Sequence, residues 1–209
     1  MTFIVMISME DCVMLCADRE TFSIHGDGRS ERSGDLVGKI VETPDGYITA
    51  SGLVELIQPV KDRFAAEAPK FVDDMLSIIQ DEQEKFAARK PELAKHWIPR
   101  SAWKLSIPMP QGVVAAFYDP EARAISGLRP GLAMVTFPPE ATGDDRQHVD
   151  GMFPDGRFVR PTSDAVHDAI SQVLQAVSYL RKMGISVSQE IDVAIHKGNE
   201  RKILEQFAE

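Results

Sequence analysis

Cysteine is scarce in this chain: two among 209 residues, Cys12 and Cys16. They lie four apart on one predicted strand, where their side chains share a face but stand too far apart for a disulfide. They read as small buried hydrophobes. Without a disulfide framework the apolar core must stabilise the fold, and 209 residues suffice to bury a substantial core in a single domain over 1–209. The five histidines show no ligand spacing around the cysteines, so neither a metal nor another cofactor is expected. His25, His148, His167 and His196 read as surface or capping residues.

Positive charge is also short. The formal net charge is -9, which argues against a general affinity for nucleic acid, since that needs clustered Lys and Arg to displace counterions from phosphates. No run of about 18 apolar residues exists to span a bilayer. The N-terminus lacks the charged, apolar and small-residue succession of a signal peptide, so the expected compartment is the cytoplasm and residue 2 the true second residue. Internal repeats and low-complexity segments are absent too. The apolar fraction of 44% and the charged fraction of 26% are those of an ordinary soluble protein.

What is present begins with two apolar runs, Phe3 to Ser8 and Val13 to Ala17, separated by Glu10-Asp11. They predict a strand, a tight turn and a second strand covered on both faces. Residues 20–38 carry Gly26, Gly28, Gly34 and Gly38 among polar residues and predict a long surface connection. Lys39 to Thr43, then Pro44-Asp45-Gly46 and Tyr47 to Ala50, predict a second hairpin. Leu53, Leu56, Ile57, Val60 and Phe64 share a helical stripe, which Pro59 should bend or restart.

Phe71, Met75, Ile78, Ile79 and Phe86 predict a second helix of about 20 residues between Pro69 and Pro91. Residues 98–112 are Pro-rich and ambiguous. Val113 to Tyr118, Ala122 to Leu128 and Leu132 to Phe137 follow as strands, and residues 141–160 read mostly as loop. Thr162-Ser163-Asp164 starts a helix whose apolar face runs from Val166 to Leu180 and ends at Gly184. Ile191 to Ile195 is a final strand before a charged segment of uncertain type.

Helices arrive in blocks and hairpins dominate the sheet connections, which disfavours a doubly wound parallel fold. The expected class is α+β: two mostly antiparallel sheets between helix layers, a four-layer α-β-β-α sandwich.

Thr2 would become the first residue if Met1 were removed, and the opening hairpin can carry Asp18 back beside it. A threonine hydroxyl is a poor nucleophile until a base takes its proton, and an N-terminal threonine carries that base in its own α-amine. The amine's ordinary pKa is about 7.7 to 8.0, so an appreciable fraction is neutral at working pH. A neighbouring Lys ammonium would lower it further, and an Asp would hold that Lys in place.

Thr2 at the head of a strand, Cys16-Ala17-Asp18-Arg19, Gly38-Lys39-Ile40 and Thr49-Ala50-Ser51-Gly52-Leu53 together resemble the proteasome β-subunit and HslV-type threonine peptidases, which have the N-terminal nucleophile hydrolase fold. The likeness covers the first 60 residues well. It implies a peptidase or amidase in which Thr2 Oγ attacks the carbonyl, the α-amine acts as base, Lys39 and Asp18 tune that pair, and the Gly52 N–H lines the oxyanion hole. It also implies a homo-oligomeric ring enclosing peptide or protein substrate, and an ATP-driven unfoldase as partner. Further along, the family's supporting serine would be Asp144 or Asp145, and its later Asp-x-x-Ser motif finds a serine in Ser186 or Ser188 but no aspartate in Arg181-Lys182-Met183-Gly184. If Met1 is kept, Thr2 has no free amine, and the alternative is a catalytically silent scaffold or regulator.

Overall fold

The computed structural model describes residues 2–24 and 30–208. Met1, His25, Gly26 and Gly28 lie outside the described residues. Among those described, the architecture is mixed α and β, with two five-stranded antiparallel sheets, a small two-stranded sheet and five α-helices.

The first large sheet is built on β1 (Ile4–Met9) and β2 (Cys12–Asp18), paired antiparallel from Ile4↔Ala17 to Met9↔Cys12. Every residue of both strands is buried. The period-two geometry of a strand explains why. Phe3, Val5, Ile7 and Met9, with Cys12, Met14 and Cys16, face one apolar core, while Ile4, Met6, Val13, Leu15 and Ala17 face another. Both cysteines are free and sit in the first core, as expected. Burial pushes the Cys12 thiol up to about 11 and that of Cys16 higher still, which makes both inert.

Residues 20–38 correct the expectation of a loop. They include β3 (Glu20–Ile24) and β4 (Ser30–Leu36), which pair antiparallel as a ribbon apart from the two larger sheets. Thr21 Oγ1 donates to the Asp35 carbonyl, an exposed bond within the ribbon. The polar residues and Gly34 of β4 leave no apolar alternation to read, which is why the strand was concealed.

The second large sheet starts at β5 (Ile40–Thr43) and β6 (Gly46–Ser51). The Thr43 hydroxyl accepts from the Gly46 N–H at 3.0 Å, closing the turn. A Cβ on Gly46 would stand 2.0 Å from the Ser106 carbonyl oxygen, so the close approach of the next strand admits only glycine there.

α1 (Val54–Glu67) runs through Pro59 as one helix and does not restart. α2 (Val72–Arg89) is the second predicted helix, and α3 (Pro91–Trp97) follows with Pro91 at its first turn, where the missing N–H costs nothing. The ambiguous stretch resolves into a short 3-10 turn, Ile98–Arg100, and β7 (Ala102–Met109), followed by β8 (Gly112–Asp119) and β9 (Ala124–Leu128) in the order β5-β6-β7-β8-β9. Leu56, Ile57, Val60, Phe64, Met75, Ile78, Ile79 and Phe86 close a core over Ile48, Trp103 and Leu105.

β10 (Ala133–Thr136) returns to pair with β1, Ile4 opposite Thr136. The stretch expected as loop contains α4 (Gly143–Asp150), whose capping box joins the Thr142 side chain to the Asp145 N–H and the Asp145 carboxylate to the Thr142 N–H. α5 (Ser163–Lys182) starts at the Thr162 cap as predicted, and Gly184 follows it with φ 78°. It buries Ile170, Val173, Leu174, Val177 and Leu180 against β1 and β2. Each fully buried Val, Leu or Ile is worth about 1.5–3 kcal/mol. β11 (Ile191–Lys197) pairs with β2, and the charged end of the chain forms β12 (Glu200–Phe207), giving the order β10-β1-β2-β11-β12. The core between the two large sheets holds Ile4, Met6, Leu15, Ile40, Tyr47 and Ala115. Among the described residues, no helix is long and apolar enough to cross a membrane.

Candidate active site

Asp18 ends β2 and is 0% exposed. A carboxylate taken out of water is costly unless charge and hydrogen bonds replace the solvent. Here Oδ1 accepts from the Phe3 N–H at 2.9 Å and from Lys39 Nζ at 2.9 Å, and Oδ2 from the Glu20 N–H at 3.0 Å. The Ser188 N–H lies 3.5 Å from Oδ2. Asp18 therefore ties together the residue after Thr2, the residue before β5 and the segment before β11.

Lys39 is 8% exposed and reaches Asp18 from the head of the second hairpin, where it also donates to the Glu20 carbonyl. Burial pushes its ammonium below the ordinary lysine range, and Asp18, by charge and then by hydrogen bond, pulls it part of the way back. Its own carbonyl accepts from Thr49 Oγ1 at 3.1 Å and from Lys61 Nζ at 2.7 Å.

Thr2 is 6% exposed, and its backbone N–H donates to Ser51 Oγ at 3.2 Å. Ser51 ends β6 and Gly52 follows with φ 149°. A Cβ at Gly52 would meet Ile57 Cγ2 at 3.1 Å and Ser101 Cβ at 3.2 Å, so both the backbone and its neighbours favour glycine. Thr2, Asp18, Lys39 and Gly52 thus gather at one place through Phe3 and Ser51, although they span 50 residues of sequence.

The remaining expected residues divide. Ser188 joins the cluster: its hydroxyl accepts from the Arg19 N–H at 2.7 Å and donates to the Glu190 carbonyl. Ser186 is half-buried two residues earlier. Asp144 is exposed on α4, and among the described residues no hydrogen bond or ion pair joins it to Thr2, Asp18 or Lys39. Its neighbour Asp145 caps α4 and accepts from the Tyr179 hydroxyl at 3.2 Å. His148 stacks on Tyr179 with ring centroids 4.1 Å apart, and His196 is buried with Nδ1 3.0 Å from Ser106 Oγ, so the latter is neither a surface nor a capping residue.

Sequence reasoning passed over Ser51, Lys61 and Asp192. Asp192 is buried and binds Arg19 at 2.6 Å. Its signal was available: one acid inside the apolar run Ile191-Asp192-Val193-Ala194, directly across from Ala17. Lys61 was a charge on the edge of an apolar stripe.

No protein-family model matches the chain, and no curated protein matches it. Among solved structures it is similar to a Gly-1 mutant of Anbu from Hyphomicrobium sp. strain MC1, with a TM-score of 0.66 and 11% identity, covering 100% of this chain and 90% of that one. At that identity the likeness is one of fold. It overturns the assignment to the proteasome β-subunit and HslV-type family that the first 60 residues suggested. The quoted motifs sit at strand ends and turns, positions that a shared backbone constrains most tightly, and they do not extend to a family match. What the chain shares with a solved protein is the fold of Anbu.

Proposed function

We propose that the chain is an N-terminal nucleophile hydrolase that cleaves amide bonds in peptide or protein substrates, with Thr2 as nucleophile once Met1 is removed. The observation that carries this reading is the buried Lys39–Asp18 pair, 2.9 Å apart, hydrogen-bonded through Asp18 to the peptide that follows Thr2. The fold likeness to Anbu supports it. A four-layer α-β-β-α sandwich over one domain, 1–209, and assembly of several copies around the substrate belong to the same reading.

In this reading Thr2 Oγ adds to the substrate carbonyl as the α-amine takes its proton. The Gly52 N–H faces the tetrahedral oxygen, a contact commonly worth about 2.7 to 4 kcal/mol of barrier. The amine returns its proton to the leaving nitrogen as the C–N bond breaks, and water then hydrolyses the resulting ester. Lys39 disfavours protonation of the α-amine by like-charge repulsion, and Asp18 fixes Lys39 in place.

Peptide hydrolysis by the wild type and by Thr2→Ala tests the reading. Turnover should fall by at least about 10³-fold in the variant. Equal activity in the two, or a wild type that keeps Met1 and hydrolyses nothing, would leave the silent scaffold as the better account.

A further inference from the structure

Lys61 is a buried cation that the chemistry above leaves without a role. It projects from α1, 3% exposed, and its Nζ donates to the Lys39 carbonyl oxygen at 2.7 Å. Thr49 Oγ1 donates to the same oxygen at 3.1 Å. Both acceptor positions of that carbonyl are thus filled by side chains, one from β6 and one from α1.

We propose that Lys61 is a positioning residue for the reaction: it fixes the Lys39 backbone at the head of β5, so that Lys39 Nζ is aimed at Asp18, and it sets a second positive charge behind the first. This inference rests on the functional reading just given and deepens it.

Two physical arguments carry it. First, a buried ammonium is expensive, and an apolar side chain of the same length would pack against Leu56, Ile57, Val60 and Phe64 without that cost. Three of Lys61's buried helix neighbours, Ile57, Val60 and Phe64, are apolar, so α1 does not need the charge to pack. Second, the charge is coupled to the site. Burial lowers the Lys61 pKa to about 8, and repulsion from Lys39 is the next largest cause, opposed by Asp62 one residue along the same helix. The Lys39 charge thus bears on Lys61, and the 2.7 Å bond from Lys61 Nζ to the Lys39 carbonyl is the contact through which Lys61 bears on Lys39. At Lys39 itself burial lowers the pKa, and Asp18, Glu20 and Asp192 oppose it.

The consequence for reaction is a division between binding and chemistry. Lys61 touches no substrate in this account and acts through Lys39. Its removal should slow capture of an electrophile by Thr2 and leave the preceding encounter unchanged.

Lys61→Met keeps the length of the side chain and removes its charge and donors. With a β-lactone as probe, the maximal inactivation rate should fall at least about tenfold, while the concentration for half-maximal rate and the melting temperature change little. In parallel, the Lys39 side-chain signals are compared by NMR in lysine-labelled wild type and Lys61→Met. They should move in the variant, because the Lys39 carbonyl has lost its Lys61 donor. An unchanged inactivation rate together with unchanged Lys39 signals would overturn the proposal, as would a loss of melting temperature large enough to account for the slower rate. If the wild type forms no adduct at Thr2, the hydrolase reading fails, and the NMR comparison alone then decides whether Lys61 acts on Lys39.

Discussion

The helices that cover the two large sheets are built from different material. α5, over β1 and β2, buries only apolar residues: Ala169, Ile170, Val173, Leu174, Ala176, Val177 and Leu180. α1 and α2, over the other sheet, bury Lys61, Glu82 and Gln83 among their apolar residues. Glu82 meets Lys85 at 2.6 Å and Arg63 at 3.3 Å, and Gln83 Oε1 accepts from the Tyr118 hydroxyl at 3.1 Å while its buried Nε2 has no hydrogen-bond partner among the described residues. The difference separates two tasks. α5 contributes burial that any well-packed apolar set could supply, whereas α1 reaches from its own core to the residue that holds Asp18.

Breaking the site itself should have the largest effect. Asp18→Asn removes one partner of a buried ion pair and leaves the Lys39 charge uncompensated, a change that typically costs about 3–5 kcal/mol. Chemical denaturation should show that loss, and the surviving folded protein should react with electrophile far more slowly than wild type. A variant of near-native stability would mean that Lys39 is paired elsewhere.

Next comes the apolar layer. Leu180→Ala empties a fully buried position on α5, with an expected cost of about 2–5 kcal/mol. Its reactivity per folded molecule should stay at the wild-type level. A Leu180→Ala variant that is stable but unreactive would erase the distinction between the two layers.

Gly52→Ala tests the junction between β6 and α1. A side chain there needs a backbone that L residues rarely adopt, with a cost of about 1–3 kcal/mol, and displaces Ser101 or Ile57. Reaction with electrophile should slow more than stability alone explains, measured as the maximal inactivation rate at saturating probe.

The smallest effect concerns Lys104, which is buried in β7 and donates to Thr136 Oγ1 across the two sheets. Burial lowers its pKa from 10.5 to about 7. Between those values the unfolded chain holds more protons than the folded one, so stability rises with pH through that window, and the cost of the buried charge is full below it. Lys104→Met should therefore exceed the wild type in melting temperature at about pH 6, with the gap closing toward about pH 10. A gap independent of pH would show that Lys104 keeps its ordinary pKa in the fold.

The sequence carried a good part of this structure, for identifiable reasons. β1, β2 and α5 were legible because burial on both faces of a strand, or on one stripe of a helix, writes itself as a continuous or periodic apolar pattern. β3 and β4 were not, because β4 is polar up to Leu36 and shows no such pattern. α4 hid behind Gly143-Asp144-Asp145, although Thr142 and Asp145 stand at the spacing of a capping box. At the site, Asp18, Lys39 and Gly52 were legible as motifs. Lys61 was not, and Asp192 showed only as a lone acid in an apolar run, because the partner of each lies far along the chain: Lys39 for the first, Arg19 for the second. Pairings of that kind follow only from the three-dimensional arrangement.

The central claim is that Thr2 is a nucleophile, and the mass of the intact protein before and after exposure to an epoxyketone or β-lactone tests it most directly. The account predicts a chain that begins with threonine and gains one probe mass, localised to Thr2 by peptide mapping and absent in Thr2→Ala. A chain that keeps Met1 and gains no mass would contradict it.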